Sequence, residues 1–516
     1  MTPTDPGTAP RPTGNRPLPL AELADLIGPP EGPGADVAVS GVTLASGEVG
    51  PGFLYAALPG ARTHGVRFAA DAAARGAVAL LTDPTGRADA LATGLPVCVV
   101  DAPRQVLGAV ADRVYGEPSR RLAVLGITGT NGKTTTSYLV EAGFAAAGRA
   151  TGLIGTVQAR TRAADGTVTA LPSIRTTPEA PALHALLAGM ADAGVDAVVM
   201  EVSSHALVQG RVGGVRFAAA GFTNLGRDHL DFHRDMEDYF QAKALLFDGR
   251  AAAEVVDVDD PYGRRLVERA PRPVTVAGSE GAAADWTVSH VRPAPGGGST
   301  FTLHGPGGRS WPARVGLPGR FNVANAVLAV ALLDAVGVAV EDAVAGLAAT
   351  VVPGRMEPVD AGQPFVAVVD YAHTPDAVRT ALAALREATP GRLITVLGCG
   401  GDRDPGKRPE MGKVAAEGSD VLVVTDDNPR SEDPAAIRAA MLAGAREVPA
   451  DRRAEVREIG DRRAALAAAV ALARAGDTLL VAGKGHETGQ EVAGTVHPFD
   501  DRAQLREVLA ASGAPA

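Results

Sequence analysis

Short apolar runs rich in valine, isoleucine and leucine recur along this chain. Each ends in a turn of Gly, Thr, Asp or Asn and is followed by a stretch with apolar positions three and four apart. Runs of that length read as strands buried on both faces and the intervening stretches as covering helices, so the pattern predicts an α/β protein with mostly parallel sheets. In the first hundred residues it predicts a helix over 20–27, strands over 39–44 and 53–57, a helix over 69–76, and strands over 78–82 and 97–100. Then come strand 122–127, helices 135–147 and 182–193, strand 197–200, a helical stretch over 239–247, a Gly-rich hairpin excursion within 293–308 and a helix over 322–333. Beyond residue 354, strands 365–370, 393–397, 421–425 and 478–482 each run into a polar or glycine-rich turn. Turns at the carboxyl ends of parallel strands share one crevice, where open α/β sheets bind ligands, and the arrangement is dinucleotide-fold-like without a GxGxxG signature. The layout divides the chain into 18–120, 121–353 and 354–516, after a Pro/Thr/Gly-rich tail over 1–17 that is expected to be disordered.

Composition narrows the function. At 516 residues and 46% apolar content the chain has room for about three cores. A net charge of −10 argues against a nucleic-acid surface and leaves local basic pockets for acidic metabolites. Cys98 and Cys399 are the only cysteines, too few for a disulfide framework or a zinc constellation. With no apolar run of 18 residues there is no membrane insertion to expect, and a cytoplasmic monomer acting on small molecules is the expectation.

The chemistry starts where strand 122–127 meets Gly129, Thr130, Asn131, Gly132, Lys133, Thr134 and Thr135. Glycines let backbone N–H groups approach a phosphate, Lys133 supplies a charge for the β/γ oxygens, and the Thr134 hydroxyl can ligate Mg²⁺ at a helix start, which points to ATP. The generic Walker A glycine, five positions before the Gly-Lys pair, is here Ile127, with Gly126 one residue early. Glu201 follows the second buried strand and is the expected carboxylate partner of nucleotide-bound Mg²⁺. Further polar positions follow at Asp228, His229, Asp231 and Lys243, and each strand end of the last unit carries its own set.

Taken together, GTNGKT (129–134), MEVSSHAL (200–207), NLGRDHLD (224–231), GRFNVANA (319–326), PGRME (353–357) and VDYAHTPD (369–376) resemble the Mur ligase family, the ATP-dependent amide-forming enzymes of peptidoglycan precursor synthesis. The resemblance covers essentially everything after Leu18. It implies a small N-terminal domain for the UDP-sugar, a central P-loop-type ATPase domain and a C-terminal Rossmann-like domain for the incoming amino acid. By the same resemblance, Lys133, Glu201, His229 and Lys243 carry catalysis. Thr134, Glu201, His229 and Lys243, the last as a carbamate, serve Mg²⁺. Asn325, Arg355, Asp370 and His373 lie near ATP, and Leu44, Ser46, Thr176, Thr177, Ser203, Gln209 and Arg211 hold the UDP-N-acetylmuramoyl dipeptide. In the first domain, Ala45 and Gly47 stand where many relatives have an acid and an arginine.

Asp427, Asn428, Pro429 and Arg430 resemble the signature of members that add diaminopimelate, with Arg403, Gly483 and Glu487 at matching positions. The residue types suit that substrate, because an arginine fork holds the second carboxylate of diaminopimelate bidentately, and a lysine substrate would leave the fork unpaired. Two other functions compete: a folylpolyglutamate synthase-like ligase, and an inactive nucleotide-binding regulator on the same fold. The Glu201–His205 motif and the DNPR loop weigh against the first, and intact Lys133, Glu201, His229 and Lys243 against the second.

Overall fold

The apolar runs form strands because β-branched side chains pack well on both faces of a pleated sheet, and each stops where glycine or a polar residue breaks the run. The computed structural model describes residue 12 and residues 15–60, 63–171, 175–271, 273–294 and 298–512. The tail expected over 1–17 lies mostly outside them. Three parallel-rich sheets carry the architecture. Among the described residues no helix is long and apolar enough to cross a membrane.

The first sheet has four parallel strands in the order Gly41–Thr43, Phe53–Ala56, Ala77–Thr82 and Val97–Val99. Leu107, Val110 and Val114 of helix Pro103–Val114 pack into its core with Leu54, Ala79 and Leu81. Two elements differ from the expected ones. The helix over 20–27 begins as a 3-10 turn, Leu20–Leu23, before Ala24–Ile27 becomes α-helical. The strand over 39–44 is interrupted at Ser40, whose N–H bonds the Gly52 carbonyl at 2.8 Å, so that Ala38–Val39 pairs with Leu18–Pro19 instead.

The central sheet has eight strands in the order Val168–Leu171, Ala159–Arg162, Thr151–Ile154, Ala197–Glu201, Ala123–Thr128, Phe217–Phe222, Ala251–Asp257 and Pro273–Val276. Its first two pairings are antiparallel and the rest are parallel. The registers put Glu201 opposite Ile127 and Phe222 opposite Thr128, so three strands release their polar turns at one edge. Helices Lys133–Ala146 and Arg320–Ala335 share the core on one face through Leu139, Phe144, Val327 and Leu328. The excursion within 293–308 is more than a hairpin: Thr287–Pro293, Ser299–Gly305 and Arg309–Val315 form a three-stranded antiparallel sheet. Its apolar residues Phe301, Leu303, Ala313 and Val315 face the core, an alternation obscured by the intervening glycines and arginines.

The third sheet runs Glu357–Pro358, Val366–Asp370, Thr478–Ala482, Leu393–Leu397, Val421–Val424 and Glu455–Glu458, all parallel after the first pair. Asp370, Ala482, Leu397 and Val424 are in register, so the four expected turns do leave one edge together. Beneath that edge Arg462 and Asp501 form a fully buried bidentate pair at 2.7 Å. Arg462 also donates to the carbonyls of Asp426 and Ala482, which tethers two of the four strand ends.

Candidate active site

The phosphate loop is shaped by what surrounds it. A Cβ on Gly129 would collide with Thr223 Oγ1 and one on Gly132 with Asn325 Oδ1; both glycines adopt positive φ, so no other residue fits. Asn325 thus supports the loop from behind, accepting from Thr136 Oγ1 and donating to Asn322. Lys133 opens helix Lys133–Ala146 and its Nζ donates to the carbonyls of Gly129 and Thr130 at 2.9 and 2.8 Å. Lys243 Nζ donates to the same Gly129 carbonyl at 2.6 Å, over the Tyr239 ring. Two lysines, Lys243 buried and Lys133 half-buried, therefore converge on one oxygen. Burial, and then the neighbouring Lys133, hold the Lys243 ammonium well below the usual lysine range.

Glu201 is 1% exposed at the end of its strand. It accepts from Thr134 Oγ1 at 3.0 Å and from the Thr156 N–H and hydroxyl at 2.8 and 3.0 Å. His229, with φ +54, packs edge-on to His205 at 5.0 Å, and burial pushes its imidazole down to about 4, so it is neutral at pH 7. Among the described residues no three His, Cys, Asp or Glu side chains converge as a metal site.

Thr176, Thr177, Ser203 and Arg211 line the same cavity of about 710 Å³ as the phosphate loop. Thr177 Oγ1 donates to the Glu201 carbonyl and accepts from the Ser203 N–H, while Arg211 bonds the Thr177 carbonyl, Gln209 and Glu179. Leu44 and Ser46 line a separate cavity of about 430 Å³ in the first unit, together with Arg104.

From the third unit, Arg355 reaches across to Thr134 Oγ1 at 3.4 Å and covers the Tyr371 ring. His373 also enters the phosphate cavity. Asp370 does not line it: its carboxylate is spent on the backbone N–H groups of Met356 and Ala372, and so holds the interdomain segment to the sheet. Arg403, Asp427, Asn428, Arg430, Gly483 and Glu487 line one cavity of about 830 Å³. Pro429 shapes its wall from behind, its carbonyl standing where a Cβ on Gly401 would need to go. Arg430 is held with φ +53, donating through Nη1 to the Gly401 carbonyl at 2.6 Å and approaching Glu491. The two cavities have His205, Asp228, His229, Tyr371, His373 and Arg403 in common, so they meet across one wall.

Sequence reasoning passed over several of these side chains. Thr156 lies in a short turn with no motif signal, and Glu491 belongs to hairpin Gly489–Val492/Thr495–Pro498, whose strands are too short and polar to register. Lys407, which donates to the His373 carbonyl, and Lys484, flanked by two glycines at a strand end, could have been picked out by position.

A three-domain α/β fold with a P-loop facing a second polar cavity across a domain boundary is the layout of an ATP-dependent amide ligase. Residues 127–333 match the Mur ligase middle domain, 354–485 the Mur ligase glutamate ligase domain, and 38–115 the Mur ligase family catalytic domain. The chain belongs to the Mur ligase family. It is 56% identical to the UDP-N-acetylmuramoyl-L-alanyl-D-glutamate–2,6-diaminopimelate ligase of Streptomyces avermitilis, over 97% of this chain and 98% of that one. It is 54% identical to the protein of the same name from Streptomyces coelicolor, over 97% and 98%. A solved structure of a UDP-N-acetylmuramoyl-L-alanyl-D-glutamate–2,6-diaminopimelate ligase superposes with a TM-score of 0.68 at 30% identity, covering 96% of this chain and 99% of that one.

Proposed function

We propose that the chain adds meso-2,6-diaminopimelate to UDP-N-acetylmuramoyl-L-alanyl-D-glutamate at the expense of ATP, in the cytoplasm, as a monomer divided near residues 120 and 353. The carrying observation is the shared wall between the phosphate cavity and a pocket that offers Arg430 to a carboxylate and Glu487 to an ammonium group. In this reading the free D-glutamyl carboxylate attacks the γ-phosphorus, the bond from that phosphorus to the β,γ-bridging oxygen breaks, and ADP leaves. An amino group of diaminopimelate then attacks the acyl carbon, loses a proton, and phosphate departs with the C–O bond. Lys133 neutralises the moving phosphoryl group, Arg355 approaches from the opposite domain, and Thr177, Ser203 and Arg211 hold the peptide end. Leu44 and Ser46 contact the uridine side.

The Thr134 hydroxyl and Glu201 carboxylate make an oxygen pair that fits Mg²⁺, which takes few protein ligands and retains water and phosphate oxygens. Bound there, beside His229 and a modified Lys243, the ion would supply charge neutralisation for phosphoryl transfer.

Two lysines on one carbonyl give Lys243 a reason to be modified. A neutral buried amine adds CO₂, releasing a proton and leaving an anionic carbamate, which is attracted to the Lys133 ammonium. Activity should fall in CO₂-free buffer and return with bicarbonate, and Lys243→Ala should be rescued by short carboxylic acids. Indifference to both treatments would rule the carbamate out.

Function is tested by ADP release with the uridine dipeptide and meso-diaminopimelate, LL-diaminopimelate or lysine. Turnover with diaminopimelate well above that with lysine is expected, and comparing the two isomers decides between them. A preference for lysine, or turnover on folate plus glutamate instead, would overturn the assignment.

A further inference from the structure

Lys484 is fully buried, between Gly483 and Glu487, and directly below the amino-acid cavity. Gly483 and Gly485 on either side have φ +112 and +53, so the chain doubles back and drives the lysine inward while its neighbours face the cavity. Its Nζ donates to Asn428 Oδ1 at 2.9 Å and approaches Glu487 Oε2 at 3.2 Å.

An ammonium group can only donate, so Lys484 fixes which end of the Asn428 amide faces it. The Glu491 N–H, at 3.0 Å from the same Oδ1, reinforces that orientation. The amide nitrogen is thereby turned to Glu487 Oε2, which it reaches at 2.7 Å. Both donors to Glu487 thus meet Oε2, and the carboxylate is held in one rotamer at the cavity wall. Arg462, buried behind the same strand ends, adds positive potential toward Asp427 and Glu487.

We propose that Lys484 is a positioning residue of the acceptor site: from beneath the pocket it locks the Asn428 amide and the Glu487 carboxylate into the arrangement that receives an ammonium group of the incoming diamino acid. That role rests on the function proposed above. It gives a side chain that never touches substrate the job of setting KM for the acceptor, separately from ATP binding.

Lys484→Met preserves length and burial while removing the donor. In initial-rate assays KM for diaminopimelate should rise roughly thirtyfold, as for loss of a charge-assisted hydrogen-bond network, while KM for ATP and for the uridine dipeptide stays within about twofold. Adding Glu487→Gln to Lys484→Met should cost less than about threefold more, because a carboxylate that is no longer positioned contributes little. Asn428→Asp gives a second route should the first variant fold poorly: Lys484 keeps an oxygen partner, Glu487 loses its amide donor and meets a like charge, and the same selective rise is expected. An unchanged KM for diaminopimelate, an equal rise in all three KM values, or full additivity with Glu487→Gln would overturn the inference. Failure of the wild-type protein to use diaminopimelate would instead overturn the functional reading.

Discussion

Lys133→Ala is expected to lower ADP release about a thousandfold or more while leaving the melting temperature nearly unchanged. The amine already sits at the mouth of the phosphate loop, bonded only to the carbonyls of Gly129 and Thr130, which can turn to water when it is removed. Alanine at the first position of helix Lys133–Ala146 is a good helix former, so the scaffold has no reason to change. Activity, in contrast, loses a cation aimed at the phosphoryl group, where one such contact is worth about 4 kcal/mol of barrier. Coupled ADP detection alongside thermal melting separates the two effects; a folded variant with near-normal turnover would remove the nucleotide assignment.

Arg430→Lys is expected to raise KM for diaminopimelate by about two orders of magnitude and to erase most of its advantage over lysine, although the charge is kept. The reason is geometric. Arg430 is pinned by a positive φ, by the Gly401 carbonyl and by Glu491, which aims a planar fork at the cavity. A lysine ammonium on a flexible stem cannot present two parallel donors to a carboxylate, and the lost pair of charged hydrogen bonds corresponds to roughly 3 kcal/mol. The readout is the ratio of kcat/KM for diaminopimelate and lysine in wild type and variant. A ratio that does not move would show that the second carboxylate is held elsewhere.

The parallel strands and their polar exits are legible in the sequence because both signals are local: apolar runs such as 393–397 stand out, and GTNGKT follows its strand directly. The same locality explains what stays hidden. The Asp370 carboxylate, expected near the nucleotide, also accepts from two backbone N–H groups of the interdomain segment, a pairing set by chain folding and invisible in the motif. The three-stranded sheet around 287–315 alternates its apolar residues among glycines and arginines, which hides its period. Lys484 stands between two positions that the motifs single out, and only the fold shows that its glycine neighbours turn it inward. Arg355 meeting Thr134 across 221 residues is likewise a product of domain arrangement.

The wall common to the two cavities has a kinetic consequence. Lys133, Thr134 and Glu201 line one cavity or its floor and Arg430, Asn428 and Glu487 the other, so under the proposed function each cavity alone would lack a reactant. In the proposed reaction, a mixed anhydride formed on one side of His229 and His373 would face the amine on the other across that shared wall. In that reaction futile hydrolysis would be limited by the short path from activated carboxyl to acceptor, because the residues at the shared wall line both cavities.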